Sequence, residues 1–363
     1  AANVRSQIDP RKSDRKMTFE GFPIILGWEL TLACNLKCEH CGSAAGTPKE
    51  SELTTDEAIE LCKQFPELLV QEVDFTGGEP LTRKDWTKIA ARLTRLGIPV
   101  NMITNGLALD RQIASLIKKA NIAHIGISLD GLENTHDRIR GHKGLFKKII
   151  AAISLLNEKE IPFAVMTTVT ELNARELPEI QNLLLSIGVS KWRLQPLFPL
   201  GRVISFPELV LKEQTYLDFG VFIKTSTSRK DSTIEVVPAD SCGYFGELDD
   251  RNPSWHGCNA GLVTCGITCD GKIKGCLSLP DSFIEGDLRK KDLWSIWFSQ
   301  NAFKYTRAFM EKDLGQNCAS CEMAFQCQGG CSAMSFGSTG KLHNDPYCYL
   351  RLQKNKRLEK KNG

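Results

Sequence analysis

Six apolar runs of strand length recur between residues 24 and 197: IILGWELTLA, EVDFTG, PVNMITN, HIGISLD, PFAVMTTVT and KWRLQPL. Each is followed by an amphipathic segment of helix length, and Gly97 and Gly188 stand where helices would end. Parallel strands can only be joined by crossovers, so this alternation predicts a parallel sheet covered by helices. The fold class is α/β, a partial (β/α)6 barrel of the TIM type, in which chemistry gathers where strands end. In TTDEAIELCKQF, Thr54 and Glu57 have capping-box spacing, which predicts a helix carrying Cys62 into the core.

The residues that carry chemistry fall at those strand ends. Cys34, Cys38 and Cys41 follow the first run, TGGEP the second, TNG the third and SLDG the fourth, while LQP closes the sixth. One mouth therefore collects them. Three thiols within eight residues make an incomplete set for a closed four-ligand site, but a set of three leaves a bound metal centre with an open, reactive position.

Composition narrows the setting. The 363 residues are 42% hydrophobic, enough for one large or two ordinary domains. The net charge of +3 is spread along the chain, which excludes the basic stripe of a nucleic-acid binder. No apolar run reaches the length of a membrane span, and the polar N-terminus lacks the apolar core of a signal peptide. These features predict a cytoplasmic protein, where clustered thiols hold metal more often than they form disulfides. Four cysteines lie before residue 242 and ten between 242 and 348, a division that predicts two domains.

The spacing Cys34-x3-Cys38-x2-Cys41, with His40 before the last cysteine and TGGEP at the next strand end, resembles the signature of the radical S-adenosylmethionine (SAM) superfamily over residues 22 to 225. The resemblance implies a four-iron cluster on Cys34, Cys38 and Cys41 that binds SAM at its open iron. It also implies that Gly77, Gly78 and Glu79 meet the SAM amino group, that Ser128 and Asp130 face the ribose, and that Leu194 and Gln195 lie near the adenine. Histidines 124, 136, 142 and 343 are read as structural.

The later cysteines read Cys258-x12-Gly271-x4-Cys276, then Cys318-x2-Cys321-x5-Cys327-x3-Cys331, then Cys348. This resembles the SPASM extension of radical SAM enzymes and implies two auxiliary four-iron clusters, three in all. Cys318, Cys321, Cys327 and Cys348 match the ligands of one; Cys258, Cys276 and Cys331 match three ligands of the other. Spacing alone also fits a pair of zinc sites. The expected division is an N-terminal segment 1–21, a barrel 22–232, a SPASM domain 233–350 and a tail 351–363. Cys242, Cys265 and Cys269 compete for the missing ligand. A two-residue turn at Asp270-Gly271 would set Cys265 opposite Cys276, but relatives take their extra cysteine from upstream, where Cys242 lies, with GELDDRNPSWHG to close the gap. Cys242 is the expected ligand, with an open iron as the alternative.

The resemblance implies hydrogen-atom abstraction from an unactivated C–H bond, with an external one-electron donor such as a flavodoxin or ferredoxin. The leading substrate is a ribosomally made peptide or small protein. Only about 22 residues precede the first strand, so no fused leader-binding domain is expected. A sulfatase substrate requires an Asp where Leu277 stands; a sugar or tetrapyrrole substrate, or an electron-transfer role without radical chemistry, stays open.

Overall fold

The computed structural model describes residues 21–228, 233–243, 245 and 256–362. One sheet runs through the molecule, built from β1 (Ile25–Thr31), β2 (Glu72–Gly77), β3 (Val100–Thr104), β4 (His124–Ser128), β5 (Phe163–Val169), β6 (Lys191–Pro196), β7 (Glu235–Pro238), β8 (Thr264–Ile267), β9 (Lys272–Lys274) and β10 (Gly286–Asp287). Its order is β10-β9-β8-β1-β2-β3-β4-β5-β6-β7, and all neighbours from β8 through β1 to β7 are parallel. The crossovers are α1 (Thr55–Cys62), α2 (Trp86–Arg95), α3 (Arg111–Lys119), α4 (Glu133–Arg140), α5 (Leu145–Glu158), α6 (Leu177–Ser186) and α7 (Glu213–Thr227). The six expected strand–helix units are therefore present as a partial barrel.

The expected boundary at residue 232 is not a break in this sheet. β7 extends it beyond β6, and β8, more than 230 residues away in sequence, pairs with β1 from Ile25↔Thr264 to Trp28↔Ile267. The C-terminal part continues as α8 (Leu293–Trp297), α9 (Lys304–Arg307), α10 (Ala324–Cys327), α11 (Ser332–Thr339) and α12 (Tyr349–Asn362).

Strand alternation assigns the two faces. Trp28 lies edge-on to Phe65 and Phe75, and Trp192 edge-on to Phe222 of α7, so these positions face the helices. Gly27 and Gly266 face inward, where a Cβ on either would meet Leu277. Cys62 is fully buried, its thiol donating to the Ala58 carbonyl at 3.2 Å, and Thr54 and Glu57 form the expected capping box. Gly97 and Gly188 take positive φ at the ends of α2 and α6.

The hairpin β8–β9 differs from expectation. Gly266 pairs with Lys274 and Ile267 with Ile273, and the Thr268 amide bonds to the Lys272 carbonyl, so the loop holds Cys269, Asp270 and Gly271. The Thr268 hydroxyl accepts the Lys272 amide at 2.8 Å and Gly271 takes φ +79°, which favours a three-residue loop ending in a left-handed glycine. The register is thereby one residue from the expected one, which places Cys265 on the face opposite to Cys276.

Among the described residues, no helix is long and apolar enough to cross a membrane.

Candidate functional site

The three-cysteine loop is clamped from several directions. The Cys34 amide bonds to Gly46 and the Gly46 amide to Leu32. The Glu52 carboxylate accepts the Thr31 hydroxyl at 3.0 Å and the Leu32 amide at 2.8 Å. Arg202, beyond β6, donates to the carbonyls of Cys38 (2.7 Å) and Ala45 (2.5 Å), while its amide bonds to Cys41. The TGGEP glycines are required by the chain itself. A Cβ on Gly77 would overlap the Thr31 carbonyl and one on Gly78 the Ala33 carbonyl, so β2 can press against the loop's base only without side chains there.

Each of the three sulfurs faces an N–H donor. Cys34 has the Leu36 amide at 3.5 Å and Asn105 Nδ2 at 3.8 Å, Cys41 has the Ala45 amide at 3.4 Å, and Cys38 has Arg140 Nη1 at 3.9 Å. Burial pushes the Cys34 and Cys38 thiols up, which disfavours free thiolates in this loop. Donors aimed at sulfur and a cation beside Cys38 suit thiolates whose charge a metal centre shares. The donor set therefore fits an iron–sulfur cluster.

Glu79 and Asp130 are both enclosed. Glu79 is 1% exposed, and its carboxylate accepts the Asn105 amide (2.7 Å), the Thr104 hydroxyl (2.8 Å) and the Leu81 amide (3.2 Å), tying the end of β2 to the end of β3. Asp130 is fully buried; Oδ2 takes Arg140 Nε and Nη2 at 2.6 Å and His40 Nε2 at 3.1 Å, and Oδ1 takes the Thr168 amide at 2.8 Å. Burial pushes its carboxyl up, but Arg140 and His40 more than offset this and hold it well below the usual carboxylate range. His136 Nδ1 accepts the Asp130 amide at 3.0 Å; burial, aided by Arg140, pulls this ring down to about 4. Ser128 is buried at the end of β4, and Gln195 is half-buried on the inner side of β6. Leu194 is fully buried on the helix-facing side, and its carbonyl accepts the Ala239 amide. Its side chain is thus turned from the mouth. Glu52, Arg140 and Arg202 carried no sequence signal, since each acts across a distance that spacing does not encode.

The C-terminal cysteines form two groups. Cys318, Cys321, Cys327 and Cys348 line one pocket of about 240 Å³ together with Gly329, Gly330 and Asp345. Four thiols around one cavity fit a fully ligated cluster. In the second group Cys331 donates to Cys258 and pulls its thiol down, with the Ala260 and Ser332 amides also directed at Cys258, and Cys276 lies alongside. Cys242 is placed apart from these contacts. Its carbonyl accepts the Tyr216 hydroxyl at 3.1 Å and its thiol lies 4.0 Å from the Leu194 carbonyl, against the stacked rings of Tyr216 and Tyr349. The segment expected to bring it to Cys258 lies largely outside the described residues. Cys269 is also turned elsewhere, toward Glu29, Glu52 and Lys49, with its carbonyl accepting the Leu53 amide at 2.8 Å.

The hairpin turn thereby touches the first site. Lys49 pairs with Asp270 at 3.5 Å, and Arg289 donates to the carbonyls of Ser51 and Glu52 and to both Glu57 oxygens.

Comparison with known proteins follows the same division. The radical SAM superfamily model matches residues 28–184, and the model of an iron–sulfur cluster-binding SPASM domain matches residues 258–322. The chain belongs to the radical SAM superfamily and is an enzyme of the group that carries a SPASM domain; its cofactors are SAM and iron–sulfur clusters. It is 29% identical to the AdoMet-dependent heme synthase of Methanosarcina barkeri, covering 91% of this chain and 97% of that protein. It is 30% identical to the mycofactocin maturase MftC of Mycolicibacterium smegmatis, covering 90% of this chain and 82% of that one. In fold it is similar to SuiB of Streptococcus suis bound to its precursor peptide SuiA, with a TM-score of 0.73, 16% identity, and 90% and 76% of the two chains covered.

Proposed function

We propose that the chain takes a hydrogen atom from a ribosomally made peptide and oxidises the product by one further electron through its auxiliary sites. The observation that carries this reading is that Cys34, Cys38 and Cys41 each face a donor and that the C-terminal hairpin is docked on the loop that braces them. When bound, the cluster and SAM supply a 5′-deoxyadenosyl radical by reductive cleavage.

The chain's own residues hold and shield that chemistry. Cys34, Cys38 and Cys41 would hold the SAM-binding cluster, and Gly77 and Gly78 keep TGGEP pressed on their loop. Glu79 fixes the ends of β2 and β3, and Arg140, held by Asp130, keeps a positive charge beside Cys38. Ser128 and Gln195 are the groups we assign to SAM at the mouth. Cys318, Cys321, Cys327 and Cys348 would hold one auxiliary cluster. Cys258, Cys276 and Cys331 would hold the other, with either Cys242 or an open position completing it; the Cys242 thiol directed at the Leu194 carbonyl supports the open position.

The similarity to MftC supports a peptide substrate. A tetrapyrrole is the second reading, favoured by the similarity to heme synthase along 97% of that protein. Leu277, packed against Gly27 and Gly266, supplies no carboxylate where a sulfatase-maturing enzyme needs one. A flavodoxin or ferredoxin would deliver the electrons, in the cytoplasm.

Anaerobic incubation with SAM, a reductant and either any short leader-bearing peptide encoded beside the gene or an iron porphyrin separates the two substrate readings. Peptide-dependent release of 5′-deoxyadenosine with a mass change in the peptide supports the proposal. Release that rises only with the porphyrin replaces it with the second reading.

A further inference from the structure

Among the described residues, the Tyr305 hydroxyl is buried and meets no hydrogen-bond partner. It sits within the three-cysteine group. A Cβ on Gly275, the residue before Cys276, would lie 2.2 Å from this oxygen, and the ring belongs to one apolar cluster with Cys276 and Cys331. Cys258 and Cys276 lie close enough to act on the hydroxyl electrostatically. The residue does not line the four-cysteine pocket.

Tyr305 has little freedom to turn away. It stands on α9, where Thr306 Oγ1 donates to the Ala260 carbonyl at 2.7 Å and Arg307 Nε to the Gly261 carbonyl at 2.7 Å, which fixes the helix on the segment that follows Cys258. His343 Nε2 lies 2.8 Å from the Tyr305 carbonyl, and Phe283 meets the ring edge-on at 5.5 Å. The fold thus holds a donor rigidly beside three thiols without giving it an acceptor. Buried hydroxyls are hydrogen-bonded as a rule, so this one fits a group that those thiols would carry.

We propose that Tyr305 donates its hydroxyl hydrogen to a sulfur of the auxiliary cluster that Cys258, Cys276 and Cys331 would hold, and that this bond raises the reduction potential of that cluster alone. The proposal rests on the assignment of those cysteines to a cluster. Reduction adds negative charge that the sulfurs share, and a donor fixed on them favours the reduced form. A raised potential makes the cluster a better electron acceptor, which is the role the proposed oxidation gives the auxiliary sites. Phe at this position keeps the ring and its packing and removes only the donor.

The test is an EPR-monitored redox titration of the full chain, anaerobically reconstituted, with iron measured on every sample. Cys276→Ala identifies the signal of the three-cysteine cluster by removing it. Tyr305→Phe should keep the parental iron content and lower the midpoint potential of that cluster, leaving the four-cysteine cluster and the one on Cys34, Cys38 and Cys41 unmoved. Parental potentials at full iron would overturn the proposal and assign the hydroxyl to a water; a shift confined to the four-cysteine cluster would overturn it as well. Should Tyr305→Phe lose iron, 3-fluorotyrosine placed at position 305 decides, since its hydroxyl is a stronger donor on a ring of nearly the same shape: a raised potential supports the proposal and an unmoved one overturns it. A parent whose iron accounts for the first cluster alone overturns the cluster assignment and this proposal with it, a result seen before any variant is made.

Discussion

Asp130 beside the first site and Asp345 between the C-terminal cysteines are equally sealed from water, yet Asp130 is held well below the usual carboxylate range whereas burial pushes Asp345 up to about 7. The difference lies in their partners. Asp130 meets a two-pronged guanidinium and a histidine ring; Asp345 is bonded by backbone amides, and Arg351 acts on it only from beyond ion-pair range. A carboxylate inside a protein is stable when a positive charge shares its site, and amide donors alone offset only part of the desolvation. The Asp130 site is thus a compensated charge set, whereas Glu79 at the same mouth meets only neutral donors, and burial raises its carboxyl. In the C-terminal region the amides and the more distant Arg351 offset only part of the burial of Asp345.

The largest effect should come from breaking the compensated set. Arg140→Leu removes the guanidinium from the buried Asp130, leaving His40 and the Thr168 amide as partners, which costs about 3 to 5 kcal/mol by the usual penalty for removing one partner of a buried pair. Urea unfolding should show that loss, and Arg140→Lys should recover only part of it, since a lysine cannot reproduce the paired contacts to Oδ2. Full stability in Arg140→Leu would mean that Asp130 simply takes up a proton, and the contrast with Asp345 would disappear.

A smaller effect concerns pH. The His136 ring titrates at about 4 in the native state, below the ordinary 6.5, because it is buried next to Arg140 and its Nδ1 must stay unprotonated to accept the Asp130 amide. Between these values the unfolded chain binds the extra proton, so stability is full above pH ~6.5 and falls as pH drops toward 4, by roughly 3 kcal/mol at most. Asp130, whose native range is depressed, adds its own loss only below the unfolded carboxyl value near pH ~4. His136→Asn should flatten the slope of unfolding free energy between pH 6.5 and 4 and leave the steeper acid limb in place. An unchanged slope would show that His136 titrates alike in the native and unfolded chains.

The barrel was legible in the sequence because strand alternation and turn glycines are local signals, and its site was legible because the strand ends carry unusual residues in order. Cys34, Cys38, Cys41 and TGGEP announce themselves by spacing. Glu79 was found by the same spacing, yet its burial was not, since nothing in a short motif says that Thr104 and Asn105 will close over it. The hairpin register failed for a similar reason. Asp270-Gly271 fits a two-residue turn by composition, and only the Thr268 hydroxyl, bonded to the Lys272 amide, extends the loop by one residue. The pairing of β8 with β1 joins segments with no shared pattern, which is why the sequence does not reveal that one sheet runs through both parts of the chain.

The central claim is that the chain holds three four-iron clusters and that the one on Cys34, Cys38 and Cys41 alone binds and cleaves SAM. Replacing those three cysteines by Ala and measuring iron and 5′-deoxyadenosine in the same anaerobic sample tests it most directly. About one third of the iron should be lost and SAM cleavage abolished, with the signals of the auxiliary clusters intact. SAM cleavage surviving the triple change, or zinc found in place of the remaining iron, would contradict the account.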